Sequence, residues 1–221
     1  MTMTKIIKDK LTKEEISEMD RVLFDGQIVV IDNIPDAYKA ISYLKRQSIL
    51  GIDTETRPSF RSGKTYSISL LQLSSEDTCF LFRLNKIGIP KILIEFLKND
   101  ILKVGLSLKD DFMMLHRLKT ELDVNTGNYI DLQHYVKNFG IKDQSLQKIY
   151  ANLFGQKISK AQRLSNWNAE ALSESQMLYA ATDAWACLRI YQLLHELEQT
   201  GDYELIVTPE EEHEELNENG L

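Results

Sequence analysis

An apolar run, Ile49-Leu50-Gly51-Ile52, leads straight into Asp53-Thr54-Glu55. The run reads as a buried strand, and residues two apart in a strand share a face, so both carboxylates project together with Thr54 opposite. Burying two unpaired acids costs several kcal/mol, a cost that a cation between them removes. Alone the pair is a weak signal, because the same spacing recurs at Asp202-Tyr203-Glu204. Two distant pieces repeat the chemistry. Asp110 follows Gly105-Leu106-Ser107-Leu108-Lys109, and Tyr179 and Asp183 lie four apart in a long amphipathic stretch, which stacks them on one helical face. Among nine tyrosines, Tyr179 alone has an aspartate four residues on. Four carboxylates and a phenol are oxygen ligands of the kind hard divalent cations prefer. The chain must therefore fold so that three remote pieces meet closely enough to share cations.

The periodicities define the elements that have to do this. Residues 12–24 carry acids on one side and Ile16, Met19, Val22 and Leu23 on the other, a helical pattern. Gln27–Asp32 reads as a strand, Pro35 opens a helix to about Gln47, and Ser48–Thr54 is the buried strand of the acid pair. Residues 56–65 form a loop rich in Pro, Gly, Ser and basic residues. Tyr66–Leu73 and Thr78–Leu84 make a hairpin. Helices are expected at Pro90–Lys98, Lys109–Leu118, Leu132–Asn138, 145–153 and Ser173–Glu198, and strands at Ile101–Gly105 and Asn128–Asp131. Strands followed by alternating helices and strands argue for one mixed α/β sheet covered by helices. Asp53 and Glu55 fall at a strand's carboxyl end, where sites gather in such sheets. The expected organisation is a helical extension over residues 1–25, a central domain over 26–200 and an acidic, flexible tail over 201–221.

At 221 residues the chain can bury a core without disulfide staples. Cys79 and Cys187 are isolated in apolar surroundings and read as core residues. Residues 1–16 lack the apolar stretch of a signal peptide, and no run is long enough to span a membrane, so a cytoplasmic protein is expected. The net charge of −7 looks unsuited to a polyanionic partner, yet Glu210, Glu211, Glu212, Glu214, Glu215 and Glu218 supply six of those charges. The body is near neutral, which permits nucleic-acid binding without suggesting it. The four histidines, 116, 134, 195 and 213, show no ligand spacing.

Asp53/Glu55, Asp110 and Tyr179/Asp183, taken in order, resemble the three motifs of the DEDDy 3′–5′ exonucleases, in particular the ribonuclease D and Werner-type branch. The likeness runs from about Ile28 to Leu197. It includes Leu71-Gln72-Leu73, Val104-Gly105-Leu106, Asp131-Leu132 and Arg163-Leu164-Ser165-Asn166-Trp167. Helical angles do not decide between Asp110 and Asp111: Asp111 lies near the Leu108/Leu115/Leu118 stripe and Asp110 off it. The branch's register, Asp–x–aromatic–x–x–Leu, selects Asp110. Ser107 could cap that helix, and Asp131 reads as a supporting or structural acid.

The resemblance implies a ribonuclease-H-like mixed sheet of five to six strands flanked by helices, with two divalent ions, Mg²⁺ or Mn²⁺. It implies that Asp53 bridges both ions, that Glu55 and Asp183 hold the one that activates water, that Asp110 holds the other, and that Tyr179 orients the water. The implied substrate is single-stranded or 3′-ended nucleic acid, DNA or RNA, cut to nucleoside 5′-monophosphates. Arg57, Arg61 and Lys64 could reach phosphates, Lys160, Arg163, Asn166 and Trp167 could hold the strand, Trp167 being alternatively a core anchor, and Phe112 or Phe60 could stack on a base. A non-cleaving nucleic-acid-binding module on the same fold, and a metal-dependent nucleotide phosphatase, are the alternatives.

Overall fold

The computed structural model describes residues 4–59 and 66–209. In chain order the elements are β1 (Lys5–Lys8), α1 (Lys13–Ser17), β2 (Asp20–Arg21), β3 (Gln27–Ile31), α2 (Ile34–Leu44), β4 (Ile49–Thr56), β5 (Ile68–Ser74), β6 (Thr78–Phe82), α3 (Leu84–Ile87) and α4 (Lys91–Leu97). They continue with β7 (Leu102–Gly105), α5 (Leu108–Leu118), β8 (Tyr129–Asp131), α6 (Leu132–Tyr135), α7 (Leu146–Phe154), β9 (Gln156–Lys157), α8 (Glu174–Thr200) and β10 (Tyr203–Ile206). Short 3₁₀ turns cover Val124–Thr126 and Val136–Phe139.

Six strands form the main sheet in the order β3-β6-β5-β4-β7-β8. β5 runs antiparallel to both β4 and β6, while β3 is parallel to β6, and β4, β7 and β8 are mutually parallel. Strand alternation divides the buried side chains between two faces. Leu70, Cys79, Leu81 and Val104 pack toward α7 and α8. Leu50, Ile52, Leu71, Leu73, Phe80 and Phe82 pack toward α2, α4 and α5. β4 is interior, and its last paired partner on β7 is Val104 opposite Gly51. Asp53–Thr56 thus extends past β7, leaving room there for the start of α5.

Two boundaries differ from the sequence reading. Residues 4–25 do not form a helical extension. Thr12 and Glu15 make a reciprocal capping box that starts α1, but the helix ends at Ser17. Asp20 and Arg21 then pair with Gln156 and Lys157 of β9, so tertiary pairing overrides a local helical pattern. Nor does the tail begin at residue 201: β10 pairs in parallel with β1, with Lys5 opposite Tyr203 and Lys8 opposite Ile206. Among the described residues, no helix is long and apolar enough to cross a membrane.

Candidate active site

Asp53 and Glu55 leave β4 on the face covered by α8, which carries Tyr179 and Asp183. The approach of helix to strand is unusually close because Gly51 has no side chain: a Cβ there would lie 1.8 Å from the carbonyl oxygen of Ala184. Ala180, Ala181 and Ala184 keep the facing side of α8 thin and are fully buried. A Ser173–Gln176 capping box fixes the start of the helix. The result is that Asp53, Glu55 and Asp183 each offer a carboxylate oxygen within 4.8 Å of the others.

The electrostatics are those of acids crowded away from water. Burial, then the charges of Glu55, Asp183 and Asp111, holds the Asp53 carboxyl well above the usual carboxylate range. Burial, then Asp183 and Asp111, pushes Glu55 up to about 9. Asp183 rises to about 7 through burial, against a hydrogen bond from Tyr179 and the charge of Lys160. The Tyr179 hydroxyl is shifted upward by burial first, then by Asp183 and Glu55. It therefore stays protonated at neutral pH and serves as a donor. A cluster of hard oxygens whose mutual repulsion is only partly offset, by Tyr179 and Lys160 at Asp183, fits the donor requirements of a divalent cation.

The structure sets the two candidates for the fourth acid in different surroundings. Asp110 is exposed on α5 and is not among the three converging carboxylates. Asp111, one residue on and about 100° round the helix, is largely covered. It accepts a hydrogen bond of 2.5 Å from Thr54 Oγ1 on β4. Its charge reaches both Asp53 and Glu55, and burial, opposed by the Thr54 bond, raises it to about 7. The apolar stripe beside Asp111 was the usable signal in the sequence, since residues next to that stripe face the protein. Ser107 does not cap α5 through its side chain. It sits at φ 61°, and the Asp131 carboxylate from β8 accepts from the backbone N–H of Ser107 at 3.1 Å and Leu108 at 2.9 Å. Asp131 thus anchors the helix that carries Asp111.

Two residues expected to hold a strand are packed inside instead. Trp167 is fully buried and lies against the Tyr179 ring, with centroids 6.1 Å apart, so it steadies the tyrosine. Phe112 is 3% exposed and meets Tyr129 edge-on at 4.6 Å. Both are large apolar rings that close a core before they could offer a face to solvent. Lys160, Arg163 and Asn166 are exposed. Gln176 holds their loop beside the start of α8, its side-chain amide donating to Ser165 Oγ at 2.9 Å and to the Asn166 carbonyl at 3.3 Å. Arg83 donates to the carbonyl of Ala169 from the other side. Arg57 is exposed, its guanidinium 5.0 Å from the centroid of the Tyr66 ring. Phe60, Arg61 and Lys64 lie outside the described residues. Cys79 and Cys187 are buried, and burial raises both thiols, Cys79 to about 12, so neither is a nucleophile.

A 3′–5′ exonuclease family profile matches residues 28–198. The mouse bifunctional 3′–5′ exonuclease/ATP-dependent helicase WRN is 34% identical over 161 residues, covering 69% of this chain and 11% of that protein. Ribonuclease D of Gluconacetobacter diazotrophicus is 31% identical over 179 residues, covering 78% and 44%. The Nibbler EXO domain of Aedes aegypti superposes with a TM-score of 0.70 at 22% identity, covering 80% of this chain and 91% of that one. Escherichia coli RNase D gives 0.66 at 22%, covering 80% and 46%. The six-stranded mixed sheet is thus of the ribonuclease-H-like type. The chain spans between about a tenth and about half the length of these two curated relatives. By its matched residues, the chain belongs to the 3′–5′ exonuclease family.

Proposed function

We propose that this protein is a divalent-metal-dependent 3′–5′ exonuclease that removes nucleotides from the 3′ end of a nucleic-acid strand as nucleoside 5′-monophosphates. The observation that carries the reading is the meeting of Asp53, Glu55 and Asp183 within 4.8 Å, in surroundings that oppose their ionisation. These three acids, with Asp111 in the place expected for Asp110, would hold two Mg²⁺ or Mn²⁺ ions. When bound, such ions lower the pKa of an attacking water and stabilise the departing 3′ oxygen.

The chain's own groups supply the rest. Tyr179 keeps its proton and points its hydroxyl at Asp183, so it orients a water and does not deprotonate it. Trp167 behind the Tyr179 ring limits where that hydroxyl can go. Lys160, whose charge reaches Asp183, stands where it can steady a phosphate, and Arg163 and Asn166 share its loop. Two fold neighbours support a strand as substrate: RNase D of Trypanosoma brucei in complex with RNA U12, and Brucella melitensis NrnC bound to pGG.

Incubation with 3′-labelled single strands and Mg²⁺ or Mn²⁺ tests the reading. Labelled 5′-mononucleotides should appear, chelator should stop their release, and Asp53→Asn should abolish it while the protein keeps its melting temperature within a few degrees. Normal activity in Asp53→Asn would refute the site, and release of inorganic phosphate in place of mononucleotide would refute the reaction.

A further inference from the structure

A cavity of about 200 Å³ is lined by Tyr179 but by none of Asp53, Glu55, Asp111 or Asp183. Part of its wall is the segment that precedes β3, through Arg21 and Leu23. Arg21 pairs with Lys157 of β9, the Val22 backbone N–H donates to the Lys157 carbonyl at 3.0 Å, and the Phe24 N–H donates to Thr182 Oγ1 on α8 at 3.0 Å. Phe24 is buried, its ring 6.0 Å from that of Trp185. The segment is therefore docked by both backbone and core, and the cavity is part of the folded molecule.

Its lining has a definite chemistry. Leu23, Ile158 and Leu178 give apolar faces, Gln162 and Ser175 give hydrogen-bonding groups, and Arg21 gives a cation at the rim. Lys160 stands two residues from Ile158 and bears on Asp183. A site of apolar walls with a few polar groups suits a flat heterocycle whose edge can hydrogen-bond, and the cations suit a chain of phosphates. Tyr179 lines the cavity and also bonds to Asp183, so an occupant lies one side chain away from the acids. Arg21 and Leu23 precede residue 28, where the family match begins, so this wall belongs to the chain's own N-terminal segment.

We propose that this cavity seats a base of the bound strand, the terminal one or its neighbour, and that Leu23 and Arg21 set how well a strand is held. The inference rests on the exonuclease reading for the identity of its ligand. The test uses equilibrium binding, so the two can fail separately. Fluorescent single-stranded oligonucleotides are titrated with the full chain in Ca²⁺ buffer and followed by anisotropy. The strands are intact or carry one abasic site at successive positions from the 3′ end. Leu23→Trp, which fills the cavity, should raise the Kd for the intact strand about tenfold, the scale of losing one stacked base. One abasic strand should bind the unaltered protein equally weakly and show no further loss with Leu23→Trp. Gln162→Ala, in a different lining segment, should weaken binding in the same position-dependent way and guards against a fold defect in the first variant. An equal effect of both variants on every strand, or none on any, would overturn the proposal. Normal position-dependent binding without nucleotide release in Mg²⁺ or Mn²⁺ would instead overturn the exonuclease reading and leave the cavity assignment standing.

Discussion

At Thr54 the hydroxyl donates to Asp111 from the strand face opposite Asp53, and the charge of Asp111 is felt by Asp53 and Glu55. Asp111→Asn should lower nucleotide release at least about a hundredfold, beyond the roughly 10- to 100-fold loss on removing a partner behind a metal ligand. Asp110→Asn, on the exposed side of α5, should change it by less than about threefold. Steady-state rates of the two variants decide which acid takes part, and the reverse ranking would return the role to Asp110. The raised acids carry a second expectation. A carboxylic acid whose pKa is higher folded than unfolded holds more protons in the folded state, so its stabilising contribution is complete below its ordinary pKa and is lost as pH rises through the folded value. Glu55, with an ordinary value of 4.5 and a folded value of about 9, sets the widest window. Asp111 and Asp183, at about 7, steepen its lower half. The metal-free protein should therefore lose melting temperature between pH 5 and pH 9. Added Mn²⁺, which binds the deprotonated acids, should restore more of it at pH 9 than at pH 6. Scanning calorimetry with and without the ion would show this, and a flat metal-free profile would contradict it.

The element scale is governed by how near α8 comes to β4. Gly51→Ala would place a methyl carbon 1.8 Å from the Ala184 carbonyl oxygen, and that oxygen belongs to a helix that cannot yield locally. The substitution should cost about 1–3 kcal/mol of stability, the usual range for overpacking. It should also lower activity more than that loss explains, because any retreat of α8 carries Asp183 away from Asp53. Denaturant midpoints compared with activity at a fully folded temperature would separate the two effects. Both elements were readable in the sequence, because each has a sustained period: a continuous apolar run for β4, and a long helical stripe with a Ser173 cap for α8. The elements that were not readable are short or depend on distant partners. β1, β2 and β10 are two to four residues long, too short for an alternation to emerge, and β2 exists because β9 lies beside it. The Asp110/Asp111 choice stayed open in the sequence for a similar reason. The helix wheel gives angles, but only the end of β7 and the Asp131 bonds to the start of α5 fix which angle meets β4.

Across the whole molecule, the pairing of β1 with β10 joins the two ends of the described chain, and Asp9 secures it. Its carboxylate is 1% exposed, accepts from Thr208 N–H at 2.9 Å and Thr208 Oγ1 at 2.8 Å, and lies 2.9 Å from Lys142 Nζ. Those partners hold it well below the usual carboxylate range. Asp9→Ala should lower the melting temperature, because it leaves Thr208 N–H, Thr208 Oγ1 and Lys142 without their shared acceptor. It should leave activity per folded molecule intact, since the clasp lies apart from the acids; a fall in specific activity at full folding would show coupling between clasp and site. What the sequence by itself determined was the chemistry and the order of parts: the acid pair ending a buried strand, the tyrosine and aspartate one helical turn apart, and a mixed sheet with helices. Those follow from local periodicity, which is a property of neighbouring residues. Only the tertiary structure decided that Asp111 and not Asp110 is covered and bonded to β4, that Trp167 and Phe112 are buried, and that the N-terminal segment walls a cavity beside Tyr179. Each of these depends on which surfaces end up facing each other, and packing between distant elements settles that where no local pattern can.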